Sequence, residues 1–393
     1  MNGTIYMPVG EVCSSISDTY REKKNMVTLI NTSDVLEGRV LNHERVPNSN
    51  LKGQFKKTFQ RDDILYSEIR PQNRRFAYVD FSPIDYIAST KLMVIRAKKD
   101  VVSPKYLYYF LKNSSTVAEL QLLAETRSGT FPQITFSEVA NLTIPVPSLA
   151  VQEVIVQTMQ CLEDKITCNE QINDNLEQQA QSYFQELFVD NADPEWTTGT
   201  ISDLGTVVGG STPSKAKPEY YTESGIAWIT PKDLSNNKSK FVSHGENDIT
   251  ELGLRNSSAS IMPEGTVLFS SRAPIGYIAI AAGEVTTNQG FKSVVPKPEI
   301  GTQFVYFFLK NTLPVIEGMA SGSTFKEVSG STMKNVPAVI PDAETLAKFS
   351  DFCAPIFAQQ RILEEQNQSL ATLRDNLLPK LMSGEIDVSA VQL

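Results

Sequence analysis

Six consecutive residues, Arg70-Pro71-Gln72-Asn73-Arg74-Arg75, place three guanidinium groups and two carboxamides in one turn between strand-like runs. Arginine and the carboxamides are the side chains that hydrogen-bond base edges in the major groove. Lys52, Lys56, Lys57 and Arg61 lie just upstream and carry the charge to hold phosphates. A second set gathers around Ser270-Ser271-Arg272-Ala273-Pro274, with Asn288 and Gln289 following and Lys215, Lys232, Lys238, Lys240 and Arg255 dispersed before and around it. The competing reading of both sets is a solvated surface turn. If both sets bind nucleic acid, loops this different read different sequences.

No other constellation points to chemistry. The two histidines, His43 and His244, have no Ser, Cys or acid partner at a telling spacing. The loop Gly209–Lys215 (GGSTPSK) has Ser214 where a phosphate loop needs glycine before its lysine. There is no GxSxG, no GxGxxG, no HExxH and no Cys/His cluster with metal-ligand spacing. The adenine-methyltransferase box needs a Pro-Pro pair, and the chain has none. Pro341-Asp342 precedes Glu344 without the Glu-x-Lys of a nuclease centre. The pattern favours a binding protein, with no catalytic residue, metal or cofactor of its own.

The elements that must position these residues occur twice. Tyr106–Asn113 (YLYYFLKN) returns 198 positions later as Phe304–Asn311 (FVYFFLKN), and Ile64–Ser67 (ILYS) returns at an offset of 203 as Val267–Ser270 (VLFS). Thr130-Phe131 and Pro147 recur 194 positions on as Thr324-Phe325 and Pro341. So long a period is a duplicated domain, not a solenoid. Each copy opens with β-rich runs (Asp63–Glu68 and Tyr86–Arg96; Gly265–Ser270 and Gly276–Ala281) separated by Gly, Pro and Asn turns. A short helix follows, capped by Ser103 before Pro104 in the first copy and by Thr302 in the second. Then come strand-like exits at Leu142–Pro147 and Val336–Pro341, and a long helix with Ser148 or Asp342 as N-cap.

The long helices carry a heptad register. One seam of the first reads Ile155, Leu162, Asn169, Leu176, Tyr183, beside Met159, Ile166, Asn173, Ala180, Leu187. Shifted by 194, the second reads Phe349, Ile356, Leu363, Leu370, Leu377, beside Cys353, Gln360, Asn367, Arg374, Leu381. Sustained spacing of this kind predicts coiled-coil packing, with seam asparagines fixing register. About 40 residues span roughly 60 Å. A homodimeric coiled coil or two ordinary bundle helices are the alternatives; seams in homologous places of one chain favour the two helices pairing antiparallel. Gly384 closes the second helix.

The net charge of −9 argues against a nucleic-acid partner only while it is averaged. Residues 20–112 hold 18 Lys and Arg against 10 acids, whereas residues 148–199 hold one lysine, Lys165, against 10. The first globular segment is therefore basic, an electrostatic footprint or simply a solvated surface, and the acid sits on the first long helix. Cys13, Cys161, Cys168 and Cys353 form no CxxC and read as reduced thiols in a cytoplasm. No apolar run reaches the length of a membrane span, and the N-terminus lacks a signal-peptide pattern.

At these residues the chain resembles the specificity subunit of a type I restriction–modification system. The run Leu370–Val388 (LATLRDNLLPKLMSGEIDV) is similar to that family's second repeat helix and its end. Pro145–Ile155 (PVPSLAVQEVI) resembles the start of its first long helix, with Gln152 in place. Thr206–Ser214 (TVVGGSTPS), Ile229–Leu234 (ITPKDL), Gly265–Ser270 and Thr286–Gly290 (TTNQG) resemble its target-recognition domains. Two departures stand out: Leu346 replaces the glutamine in the second copy, and the first domain shows only Gly10-Glu11-Val12 where a GGSTPS-like opening is expected.

The resemblance implies an α+β fold of two mixed target-recognition domains in pseudo-twofold arrangement, separated by two long antiparallel coiled-coil helices. The expected boundaries are 1–147, 148–190, 191–341 and 342–393. It implies a non-catalytic subunit whose domains each bind half of a bipartite double-stranded DNA target. The helices set the spacer and dock methyltransferase subunits, usually two, which restriction subunits can join. S-adenosylmethionine, ATP and Mg are expected only on those partners. The acidic first helix suits a protein-binding face. The rival function is a non-catalytic coiled-coil scaffold, which a salt-insensitive partner interaction would favour; a stand-alone enzyme would require activity from the chain without partners.

Overall fold

The computed structural model describes residues 4–22, 24–49, 53–126, 132–322 and 326–388. Lys52 and the repeat markers Thr130-Phe131 and Thr324-Phe325 lie outside the described residues. The chain divides into two compact units, Met1–Ile166 with Ser369–Leu393, and Thr167–Gln368. The division falls inside both long helices, Leu149–Gln185 and Ala343–Ser383, so each unit includes a piece of either one.

The first unit is built on a four-stranded sheet in the order Cys13–Ile16, Leu92–Ala97, Ile64–Ser67, Phe76–Tyr78. The central strand Leu92–Ala97 is a near-continuous apolar run because both its faces are covered. Its one charged residue, Arg96, forks onto the fully buried carboxylate of Asp63 with two bonds of 2.7 Å. A second four-stranded sheet orders Val46-Pro47, Met26–Ile30, Tyr86–Ser89, Phe55–Lys57. The helix Pro104–Lys112 packs Tyr106, Leu107, Tyr109 and Leu111 into a core with Ile64, Met93, Ile155, Met159, Leu378 and Leu381.

The second unit repeats this frame. Gly205–Gly209, Lys292–Pro296, Val267–Ser271 and Ile275–Ala281 run in the matching order, with Phe241–Val242 added at the edge. The helix Thr302–Met319 takes the place of Pro104–Lys112. Both units carry an antiparallel strand pair before the long helices: Ile5–Pro8 with Thr143–Val146, and Thr197–Thr200 with Pro337–Ile340.

Two caps differ from expectation. The Ser103 hydroxyl makes no capping bond; instead the Ser103 amide donates to Gln152 Oε1 at 2.8 Å. Thr302 lies inside its helix, behind Gly301 at φ 82°, and its hydroxyl donates to the Gly265 carbonyl. Asp342 is a cap as read, accepting from the Thr345 amide at 2.9 Å, and Gly384 takes φ 77° at the helix end.

Within the second unit the long helices run antiparallel: Asn169 Nδ2 donates to Asn367 Oδ1 at 2.8 Å, Gln360 Nε2 donates to the Asn173 carbonyl at 3.1 Å, and Tyr183 stacks on Phe349. Phe349, Cys353 and Ile356 meet Leu176, Ala180 and Leu187 in one core, and Leu363 is also buried. In the first unit Ile155, Met159 and Leu162 share a core with Leu377, Leu378 and Leu381. The strict heptad is corrected at its edges. Phe184 and Leu378, outside both written seams, are buried, whereas Ile166 and Leu370 are only half-buried. A helix of 3.6 residues per turn drifts off a seven-residue repeat, and the first long helix ends in a π-helical turn, Glu186–Asp190.

Candidate nucleic-acid interface

Each unit presents a turn after the strand that begins at Ile64 or Val267, and the two turns share a backbone plan. Arg70 (φ 44°) and Ala273 (φ 52°) both stand before a proline with a left-handed backbone that non-glycine residues avoid. Behind the turns, the Ile134 amide donates to the Glu68 carbonyl at 2.9 Å, and the Val328 amide to the Ser271 carbonyl at 3.0 Å. Strain held by such anchoring is a mark of functional sites.

In the first unit the turn is a single 3-10 turn, Pro71–Asn73. Arg70, Gln72 and Asn73 are exposed, as are Lys56 and Arg61. Two of the three arginines read as base contacts are bonded to other parts of the domain. Arg74 Nη2 donates to Ser114 Oγ at 2.8 Å, and Arg75 Nη1 to the carbonyls of Ser33 and Val35 at 3.0 and 3.4 Å. Lys57 donates to the carbonyls of Thr90 and Leu92 at 3.1 and 2.8 Å, and burial pulls its pKa below the usual lysine range.

In the second unit Lys215, Lys232, Arg272, Asn288 and Gln289 line one cleft of about 470 Å³, together with Thr212, Trp228 and Thr230. Gly210 makes this possible: a Cβ there would sit 2.1 Å from the Asn288 carbonyl and 2.3 Å from that of Thr287, so only glycine lets the 209–214 loop lie on Thr286–Gly290. The Ser211 amide then bonds to the Thr287 carbonyl at 2.9 Å, and Trp228 Nε1 to the Ser211 carbonyl at 3.0 Å. Asn288 Oδ1 accepts from the Gly290 amide, shaping the turn, and Thr212 Oγ1 donates to Gln289 Oε1. Thr212 and Thr230 were visible in the GGSTPS and ITPKDL motifs; Trp228 carried no signal of its own.

Two candidates are removed by burial. Ser271 is fully enclosed, its hydroxyl donating to the Gly290 carbonyl. Lys240 is 8% exposed, bonded to Glu177 at 2.6 Å and Gln360 at 2.7 Å, with its ammonium 3.6 Å from the Phe357 ring centroid. Glu177 also holds Lys310 at 2.6 Å; burial works against its charge, but the two ammonium groups outweigh that and keep its pKa below the usual range. Lys238 lies over the Tyr277 ring at 4.6 Å; Arg255 is exposed. Among the described residues, no three His, Cys, Asp or Glu side chains are placed to hold a metal, and no helix is long and apolar enough to cross a membrane.

Comparison with known proteins identifies the family. The family described as the type I restriction modification DNA specificity domain matches twice, over residues 6–178 and 194–373. The HindI specificity subunit of a type I restriction enzyme from Haemophilus influenzae is 30% identical over 435 residues, covering 92% of this chain and 94% of that one. The MjaIX specificity subunit of Methanocaldococcus jannaschii is 39% identical over 194 residues, 47% of this chain and 45% of the relative. In fold, the crystal structure of a type I restriction–modification S subunit from M. genitalium aligns over 97% of this chain and 96% of that chain with a TM-score of 0.54, at 17% identity.

Proposed function

Since the chain belongs to the type I restriction–modification specificity-subunit family, the non-catalytic DNA target-recognition components of those systems, we propose that each of its two domains reads one half of a bipartite duplex target. In the first domain Arg70, Gln72 and Asn73 face the base edges, with Lys56 and Arg61 on phosphates. In the second, the cleft of Thr212, Lys215, Arg272, Asn288 and Gln289 does so, with Lys232 and Arg255 on phosphates. Lys57, Lys240 and Ser271 belong to the scaffold. The paired long helices set the spacer and dock two methyltransferase subunits, to which restriction subunits add; S-adenosylmethionine, ATP and Mg reside on those partners, in a cytoplasm.

The observation that carries this reading is one strand-and-turn frame, built twice, beside which each domain presents solvent-accessible amides and cations of different identity. The full chain assembled with its methyltransferase subunit should bind its target duplex with an affinity that falls steeply with salt, because phosphate contacts release counterions. Binding indifferent to salt and to DNA sequence would return the weight to a scaffold.

A further inference from the structure

One residue behind the second turn carries a charge that its counterpart in the first domain lacks. Glu327 lies at the position equivalent to Gln133, 194 residues earlier. In the first domain Gln133 Oε1 accepts from Lys91 Nζ at 3.1 Å. In the second, Glu327 reaches Arg272 at 3.3 Å and Lys292 at 3.9 Å. Neither side of this ion pair is loosely placed. Glu327 exchanges both backbone bonds with Ser321, at 2.8 and 3.1 Å, and the next residue, Val328, is tied to Ser271, immediately before Arg272. Arg272 lines two cavities at once: the reading cleft of about 470 Å³ and a neighbouring hollow of about 660 Å³ that contains Glu327. Both Arg272 and Glu327 are a little over a third exposed, so the pair is close enough to form and wet enough to break.

We propose that Glu327 is an internal counterion that holds Arg272 on the hollow side of the turn until duplex DNA replaces it. A guanidinium paired with a carboxylate gives up that bond on binding DNA, so a random phosphate gains little. A correctly seated target, which adds contacts throughout the cleft, gains enough to draw Arg272 across. In the first domain the acid at the turn, Glu68, pairs with Lys91 at 3.3 Å, while Arg74 and Arg75 are held by a hydroxyl and by carbonyls. Sequence discrimination is therefore bought partly by a repulsive element, an acid facing the incoming backbone. This inference rests on the DNA-reading function proposed above.

The test is Glu327→Gln in the full chain assembled with its methyltransferase subunit, titrated with target and with random duplex over a salt series. The amide keeps the shape and removes the charge. Random-duplex binding is expected to tighten by about tenfold at low salt, with a salt slope steeper by about one, the signature of one further phosphate contact. Target-over-random discrimination should fall, and in an Arg272→Ala background Glu327→Gln should lose most of its effect and leave the salt slope unchanged. Unchanged random binding, or a loss confined to one base pair of the target, would overturn the counterion and make Glu327 a spectator or a base reader. If the unsubstituted complex itself fails to prefer its target, the DNA-reading function falls instead.

Discussion

The two recognition turns hang from equivalent strands by equivalent backbone bonds, yet the first runs from Glu68 to Arg75 and the second only from Arg272 to Pro274 before the next strand begins. The extra residues of the first carry Gln72 and Asn73 outward while returning Arg74 and Arg75 to the protein. The second turn is short, and its reading groups come from three places in the chain, which Gly210 allows to lie against each other. Duplication thus preserved what backbone hydrogen bonds enforce and freed what side chains do. That is the division a recognition protein needs if its specificity is to change without its fold.

The same contrast recurs beneath the turns. The repeated lysine of the FLKN motif, Lys112 and Lys310, finds its acid on the first long helix in both units, as Glu163 and as Glu177. Part of that helix's acidity, read from sequence as a partner-binding face, is therefore spent internally. The second unit adds Lys240 to the cluster, and its helix supplies Gln360 and Glu364 as further acceptors. At the start of the long helices, Gln152 binds the Ser103 amide and the Pro147 and Val101 carbonyls, whereas Leu346 joins an apolar core.

The largest expected effect comes from Glu177→Gln, which removes the carboxylate shared by the buried Lys240 and by Lys310; about 3–5 kcal/mol of stability should be lost. Glu163→Gln should cost less, since it strands one lysine, and equal losses by urea denaturation would erase the contrast. Next, Gln152→Leu, which copies the second domain into the first, leaves buried backbone groups unpaired and should cost about 2–3 kcal/mol. A neutral result would mean the glutamine is not the element that joins helix to domain. Arg70→Ala should weaken target binding by about 1–3 kcal/mol and relax one half-site, while Arg74→Ala should lower stability with the target sequence unchanged. The reverse outcome would show that Arg74 leaves Ser114 on binding DNA. The smallest effect is the pH dependence of a single cap. Asp342 is held down to about 2 by the amide and hydroxyl of Thr345, so its contribution is present above the ordinary carboxylate value and is lost as pH falls toward 2. Trp196, whose Nε1 donates to Asp342, should report this in its fluorescence; Asp342→Ala should abolish the transition.

The duplication, the strand frame, both long helices and the Asp342 cap were legible because they rest on periodicity and local hydrogen bonding. The placement of Lys240, Ser271, Arg74 and Arg75 was not, because a lysine or arginine has the same composition whether it faces water or a buried carboxylate. Pairs such as Lys240 with Glu177 join residues far apart in sequence, with no spacing rule to announce them. The candidate site was legible as a set of motifs, GGSTPS, ITPKDL and TTNQG, but not as a cleft, since only the fold shows that they converge.

The central claim is that two domains read two half-sites independently. It is tested most directly by mapping methylated adenine in cells carrying the chain and its methyltransferase, with and without Gln289→Ala in the second domain. A bipartite motif in which one half relaxes while the other half and the spacer stay fixed is the predicted result. A motif unchanged in both halves, or relaxed in both together, would contradict it.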